Sequence, residues 1–161
     1  MLVNTQRIIA FTLTTFLATT ALSAPIPRGC EVKGFAYNDN DLVLNADGDQ
    51  KFYLLQNHSN QSIEIERHET KDVFMSPKLH SKLDPSSWSA FASDVMDLHF
   101  KCYTQDGENT ISLNCSDVLD ICQYPRVKFA LSNMGNYWVS TNKEQRLVIK
   151  DATAKGIFLH W

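Results

Sequence analysis

Few residues in this chain have the type and spacing for chemistry. Four cysteines stand at positions 30, 102, 115 and 122, and five histidines at 58, 68, 80, 99 and 160. "NCSDVLDICQ" holds Cys115 and Cys122, and "EIERHE" brings together Glu64, Glu66, His68 and Glu69. A zinc site announces itself with C-x(2-4)-C or grouped histidines, because four ligands must converge on one ion. The cysteine spacings are instead 72, 13 and 7. With no C-x-x-C, a thioredoxin-like redox pair fails as well. The histidines form neither H-E-x-x-H nor H-x-H,. On a strand, Glu64, Glu66 and His68 share a face, which is compatible with a weak metal or acid-base cluster extended by His80 or His99. A solvated strand face accounts for the same residues. The serines lack the G-x-S-x-G elbow, Gly-rich phosphate loops are absent, and "NADGDQ" lacks the terminal glutamate of a calcium loop,. The sequence therefore assigns no catalytic residue, metal ligand or cofactor.

The compartment gives the cysteines another use. Arg7 is followed by an uncharged apolar run from Ile8 to Leu22 and then by small residues, which is the layout of a secretory signal peptide,. Cleavage after Ser23 places Ala21 and Ser23 at the small-residue positions, so 1–23 is expected to be removed and 24–161 to be the mature chain. The run is short against the roughly 20 residues that span a bilayer. Removal of Arg7 leaves 14 cations against 18 anions, a net charge of −4. Such a surface does not attract nucleic acid or anionic lipid. No later run approaches a membrane span. A mature chain of 138 residues suits one domain,. Export meets an oxidising space, where an even number of cysteines in a small domain reads as disulfides.

The elements that position these residues follow from period-two alternation. Leu42 with Leu44, Phe52 with Leu54, and Ile63 with Ile65 mark three strands separated by the turn-rich "NADGDQ" and "NHSNQS",. In "VMDLHFKCYT", Met96, Leu98, Phe100 and Cys102 share one face and Asp97, His99, Lys101 and Tyr103 the other. "TISLNC" sends Ile111, Leu113 and Cys115 inward, and further strands are expected at "RVKFALS", "GNYWVSTN" and "GIFLHW". "SPKLHSKLDPSSWSAFA" reads as a loop or short helical excursion limited by Pro77 and Pro85,. "SDVLDI" offers Ser116 as a helix cap, and "NKEQRLVIKDATAK" reads as a strand or irregular segment with Leu147 and Ile149 inside, in preference to a helix. Seven to nine short strands predict an all-β fold. The expected architecture is a single-domain antiparallel β-sandwich, immunoglobulin-like, stapled by two disulfides, with at most one or two short helical turns.

If "SDVLDI" is helical, Cys115 and Cys122 lie about 10 Å apart, beyond the roughly 7 Å that a disulfide tolerates between Cα atoms. An extended stretch separates them further, so unless the segment is a tight loop their partners are Cys102 and Cys30. A hairpin centred near Glu108 and Asn109 brings Cys102 opposite Cys115, whereas a tighter turn at Asp106 and Gly107 brings it nearer Ile111. Cys102 with Cys115 and Cys30 with Cys122 is the favoured order, with the reverse left open.

The run "HFKCYTQDGENTISLNCSDVLDICQYP", the upstream "DPSSWSAFA" and the downstream "GNYWVSTNKEQ" and "GIFLHW" resemble the enhanced-entry protein EnhB family of exported bacterial proteins. The shared features are Phe100-x-Cys102, a Gly-containing hairpin, Cys115-x-x-Val118-Leu119-x-x-Cys122 and Tyr137-Trp138-Val139. "RHETKDVFMSPKLHSKL" departs by being more charged than the small-residue segment expected there. The resemblance implies an exported interaction protein associated with bacteria entering host cells, without enzymatic activity or catalytic residues to transfer.

Aromatics supply the candidate partner surface. Trp88, Tyr124, Tyr137 and Trp161 are of the amphipathic kind enriched at interfaces when exposed; filling the core is their other use. The leading expectation is a non-enzymatic accessory protein of the bacterial envelope or surface, in the periplasm, on the outer surface or released, with a protein partner in the envelope or on a host surface. The alternatives are a small envelope metal-dependent hydrolase using Glu64, Glu66 and His68, and a secreted carbohydrate-binding module with Trp88 lining a sugar platform. The latter gives meaning to the N-x-[ST] sequons at Asn57, Asn60 and Asn114.

Overall fold

The computed structural model describes residues 25–45, 49–68, 80–93, 98–129 and 137–160. The expected signal peptide, Met96, Asp97 and Trp161 lie outside them. In chain order the strands are β1 (Phe35–Asn38), β2 (Asp41–Leu44), β3 (Lys51–Asn57), β4 (Ile63–His68), β5 (His80–Leu83), β6 (Trp88–Ser93), β7 (Leu98–Asp106), β8 (Asn109–Leu113), β9 (Leu119–Tyr124), β10 (Val127–Phe129), β11 (Tyr137–Lys143) and β12 (Ile157–Leu159). Helix α1 (Gln145–Ala154) lies between the last two.

Two antiparallel sheets pack face to face. The first runs β1-β2-β7-β4-β5 with β8 also on β7, and the second runs β11-β6-β3-β9. Alternation explains the first directly: along β7, Leu98, Phe100, Cys102 and Thr104 are buried while the residues between them are half-buried,. Leu42, Leu44, Ile63 and Ile65 meet Tyr53, Leu55, Phe91 and Ile121 of the second sheet in one core. Phe91 and Phe100 join the sheets edge-to-face at 5.3 Å between ring centroids, a contact worth about 0.5 to 1.5 kcal/mol beyond the area it buries. The expected disulfide-stapled all-β sandwich is therefore the fold.

The second sheet is buried on both faces, which alternation did not announce. Phe52, Leu54, Ala90, Ala92 and Tyr124 face away from the first sheet and are covered by Val148 and Ala152 of α1, Phe129 of β10 and Ile157 of β12. Strands β10 and β12 pair as a small sheet of their own. Three expectations are corrected by this cover. "DPSSWSAFA" contains a strand, β6, whose six residues are all buried. The C-terminal stretch is a ten-residue helix, longer than one or two turns, burying Val148 and Ala152 while Leu147 is 39% exposed. It stops where Gly156 adopts φ 81°, the left-handed conformation that ends many helices and that only glycine takes without cost.

Smaller corrections concern the cysteine region. Asn114, not Ser116, caps the 3-10 turn Cys115–Asp117, its side chain accepting from the Ser116 amide. The hairpin turns at Gly107 and Glu108, with Asp106 opposite Asn109 and Cys102 opposite Leu113. Ile111, expected inward, is 43% exposed because β8 pairs only with β7. Cys115 follows Leu113 closely enough to bond Cys102, and Cys30 bonds Cys122. Both bridges have the favoured order, and neither joins the two sheets.

Candidate functional site

The Cys30–Cys122 bridge organises the most distinctive surface. After a turn in which the Cys30 amide donates to the Pro27 carbonyl at 3.1 Å, the N-terminal segment lies against the outer edge of β9. Glu31 and Gln123 exchange two backbone hydrogen bonds of 2.8 Å. The segment then leaves that edge at Gly34, which has φ 76° and stands where an added Cβ would fall 1.4 Å from Oε1 of Gln123. Any side chain at 34 meets both a strained backbone and a buried amide. From Phe35 the chain belongs to β1, the edge of the other sheet. The segment thus crosses from one sheet edge to the other and leaves an opening between them.

That opening is an apolar hollow of about 290 Å³, with Ile26 and Val32 from the crossing segment, Phe35 and Tyr37 from β1, and Leu119 and Ile121 from β9 among its walls. Ile26, Val32 and Tyr37 are 52%, 63% and 37% exposed, an unusual cost for large apolar groups unless something covers them. The volume lies just under the roughly 300 to 1,000 Å³ of small-molecule sites, so it suits one or two side chains. Antiparallel geometry adds a polar element. Because Gln123 directs its N–H and C=O away from β3 to Glu31, Ile121, two positions earlier, directs its own to the same side,. The hollow therefore joins apolar walls to a strand edge.

The polar groups around it are held still. The Tyr37 hydroxyl donates to the Leu119 carbonyl at 3.0 Å; burial, and then the negative charge of Asp120, push its pKa up to about 12, so it remains a neutral donor through the physiological range. His58 places Nδ1 3.2 Å from Asp120 and Nε2 3.0 Å from the Asp117 carbonyl. Both ring nitrogens are engaged, so the imidazole ties the β3–β4 loop to β9 and offers no free nitrogen for catalysis. The Ser116 hydroxyl lies within hydrogen-bonding distance of the Asn114 and Asp117 side chains, at 3.0 and 3.1 Å.

The expected partner-facing aromatics fare differently. Tyr124 is 1% exposed and packs beside Phe52 at 6.1 Å between ring centroids, so it is a core residue. Trp88 is 6% exposed and is one of the residues that line the hollow; at that burial it presents no flat platform for a sugar. Both are drawn inward because the second sheet is covered on each face. Tyr137 begins β11 opposite Ala92, its side chain outside the description, and Trp161 lies beyond it. Asn57 is fully buried, its amide donating to the Gln61 and Leu83 carbonyls at 2.8 and 3.0 Å, so this sequon is inaccessible in the folded chain. Glu64 and Glu66 alternate with buried Ile63 and Ile65 on β4. Among the described residues no three His, Cys, Asp or Glu side chains are grouped for a metal ion, and no helix is long and apolar enough to cross a membrane.

Sequence reasoning did not single out Ile26, Val32 or Tyr37. The available signal was "IPRGCEVKGFAY", apolar residues spaced around a cysteine with a distant partner. No family model, curated protein or solved structure matches the chain.

Proposed function

We propose that this protein is an exported, non-enzymatic interaction module of the bacterial envelope or surface, resembling EnhB proteins, and that it contributes to bacteria entering host cells by holding a partner protein. The observation that carries this reading is the hollow between the two sheet edges. An extended partner segment laid along β9 would pair with the Ile121 backbone and drop alternate apolar side chains against Val32, Phe35 and Tyr37, which is strand addition to a sheet edge. The crossing segment already begins such pairing at Glu31 and then turns away, the Lys33 amide donating to the Glu31 carbonyl at 2.9 Å, so that Lys33 does not take the position opposite Ile121. Export is supported by the N-terminal sequence and by two disulfides, which persist in oxidising compartments.

Affinity capture from unreduced envelope extract tests the proposal. The wild-type chain should retain a reproducible protein partner, and Val32→Asp should lose it while keeping both bridges, since position 32 is exposed. Failure of the wild-type chain to retain any protein, or equal capture by Val32→Asp, would refute this use of the hollow.

A further inference from the structure

The two bridges stand in different surroundings. Cys102 and Cys115 are both fully buried in the core between the sheets, and sulfurs enclosed in that way are inert to thiols while the fold is intact. Cys122 is buried too, but its partner Cys30 is only half-buried and stands on the crossing segment, where Arg28, Gly29, Glu31 and Val32 are all exposed. Cys122 is also one of the residues lining the hollow, and neither Cys102 nor Cys115 is. Arg28 adds a cation two positions from Cys30, which favours an incoming thiolate, and the Glu31 carboxylate next to Cys30 is paired with Lys33.

We infer that the Cys30–Cys122 bridge is a site of thiol–disulfide exchange, opened by a dithiol reductant while the Cys102–Cys115 bridge stays closed, and that opening it dismantles the hollow. As a control on partner binding, this rests on the proposed use of the hollow. A thiolate of the reductant attacks Sγ of Cys30, the sulfur on the open side. The bond to Cys122 breaks, its electron pair leaves on Sγ of Cys122, and that sulfur takes up a proton because a thiolate buried among apolar groups is unfavourable. The second thiol of the reductant then attacks the mixed disulfide, Cys30 is released as a thiol, and the reductant departs as an internal disulfide. Two electrons and two protons pass from the dithiol to the bridge. The Glu31–Gln123 hydrogen bonds then hold the segment without a covalent tie, in competition with water. Ile26 and Val32 lose their fixed place as walls, and the Gln123 backbone joins that of Ile121 as open strand edge. A partner seated in the hollow favours the bridged form and reduction weakens its binding, the reciprocity that linked equilibria require.

Timed reduction of the folded, oxidised mature chain with dithiothreitol alone, quenched by alkylation and mapped by peptide mass spectrometry, tests the site. Cys30 and Cys122 should become alkylated about tenfold or more faster than Cys102 and Cys115, because access sets the rate of exchange. Once they are reduced, amide hydrogen exchange should rise across residues 26–35 while β4 and β7 keep their protection. No partner enters these measurements, so their failure is distinct from failure of the capture experiment. Equal rates at the two bridges, earlier opening of Cys102–Cys115, or unchanged exchange across 26–35 after reduction of Cys30 and Cys122 would overturn the inference.

Discussion

Glu31 and Gln123 exchange a pair of 2.8 Å backbone hydrogen bonds one residue along from the Cys30–Cys122 bridge. The bridge and the two bonds act on the same few residues. They convert a segment that would otherwise be a loose N-terminal arm into a wall of the hollow, with Ile26 and Val32 held facing solvent. Stability and the proposed interaction surface therefore share one covalent anchor.

Removing that anchor should be costly. Cys30 and Cys122 are 92 residues apart in sequence and Cys102 and Cys115 only 13. On the loop-entropy model the long bridge contributes about 4 to 5 kcal/mol and the short one about 3. Urea unfolding should show the double variant Cys30→Ser/Cys122→Ser less stable than Cys102→Ser/Cys115→Ser. The reverse ranking would mean that the N-terminal segment contributes little to the native state.

Asn57 carries a second concentrated load. Its buried side chain donates to two carbonyls and accepts from the Ser59 amide and hydroxyl. Asn57→Ala leaves those groups without their partner and should cost about 2 to 3 kcal/mol in chemical denaturation. A change below about 0.5 kcal/mol would show that the turn satisfies itself in another way.

Tyr37 predicts a pH dependence with a definite sign. Its folded pKa of about 12 lies above the ordinary 10.0, so the fold favours the neutral phenol. This contribution is complete below about pH 10 and is lost as pH rises through about 12. Tyr37→Phe should lack that part of the alkaline decline and, at neutral pH, lose about 1 kcal/mol with the hydrogen bond to Leu119. Stability of both proteins measured between pH 8 and about 11 checks this; parallel curves would contradict it.

The helix yields a ranking that a strand would invert. Val148 is fully buried against the second sheet and Leu147 is 39% exposed. Val148→Ala should cost about 2 kcal/mol, and Leu147→Ala under about 0.5 kcal/mol. A strand with Leu147 and Ile149 inside would reverse the order, and thermal unfolding distinguishes the two.

Where one face of a strand is buried, its chemistry was visible in the sequence: β2, β4 and β7 alternate, and their inward residues are the expected ones. Where both faces are buried, alternation vanishes. "WSAFAS" of β6 is small and apolar throughout, and its partners lie on β3 and β11. In α1, Leu147 and Ile149 imitate a strand, while the helical spacing of Val148 and Ala152 and the terminal Gly156 are quieter signals. The spacings favour the disulfide order with its reverse left open, and the hairpin behind that reading differs: the turn is at Gly107 and Glu108, and Cys115 reaches Cys102 from the 3-10 turn that follows Leu113. The hollow was not, because the Glu31–Gln123 pairing, the turn at Gly34 and the approach of β1 to β9 are tertiary events with no local pattern. Trp88 and Tyr124 were chosen by residue type, and the cover over the second sheet decided their place instead.

The central claim is that the hollow beside Cys30–Cys122 holds a protein partner. Photo-crosslinking residues placed singly at Val32, on its rim, and at Phe158, exposed but outside it, test this directly in the cells that make the protein. The account predicts one reproducible protein adduct from position 32, none from position 158, and loss of the adduct when Cys30 and Cys122 are replaced by serine. No adduct from position 32, or the same adducts from both positions, would contradict it.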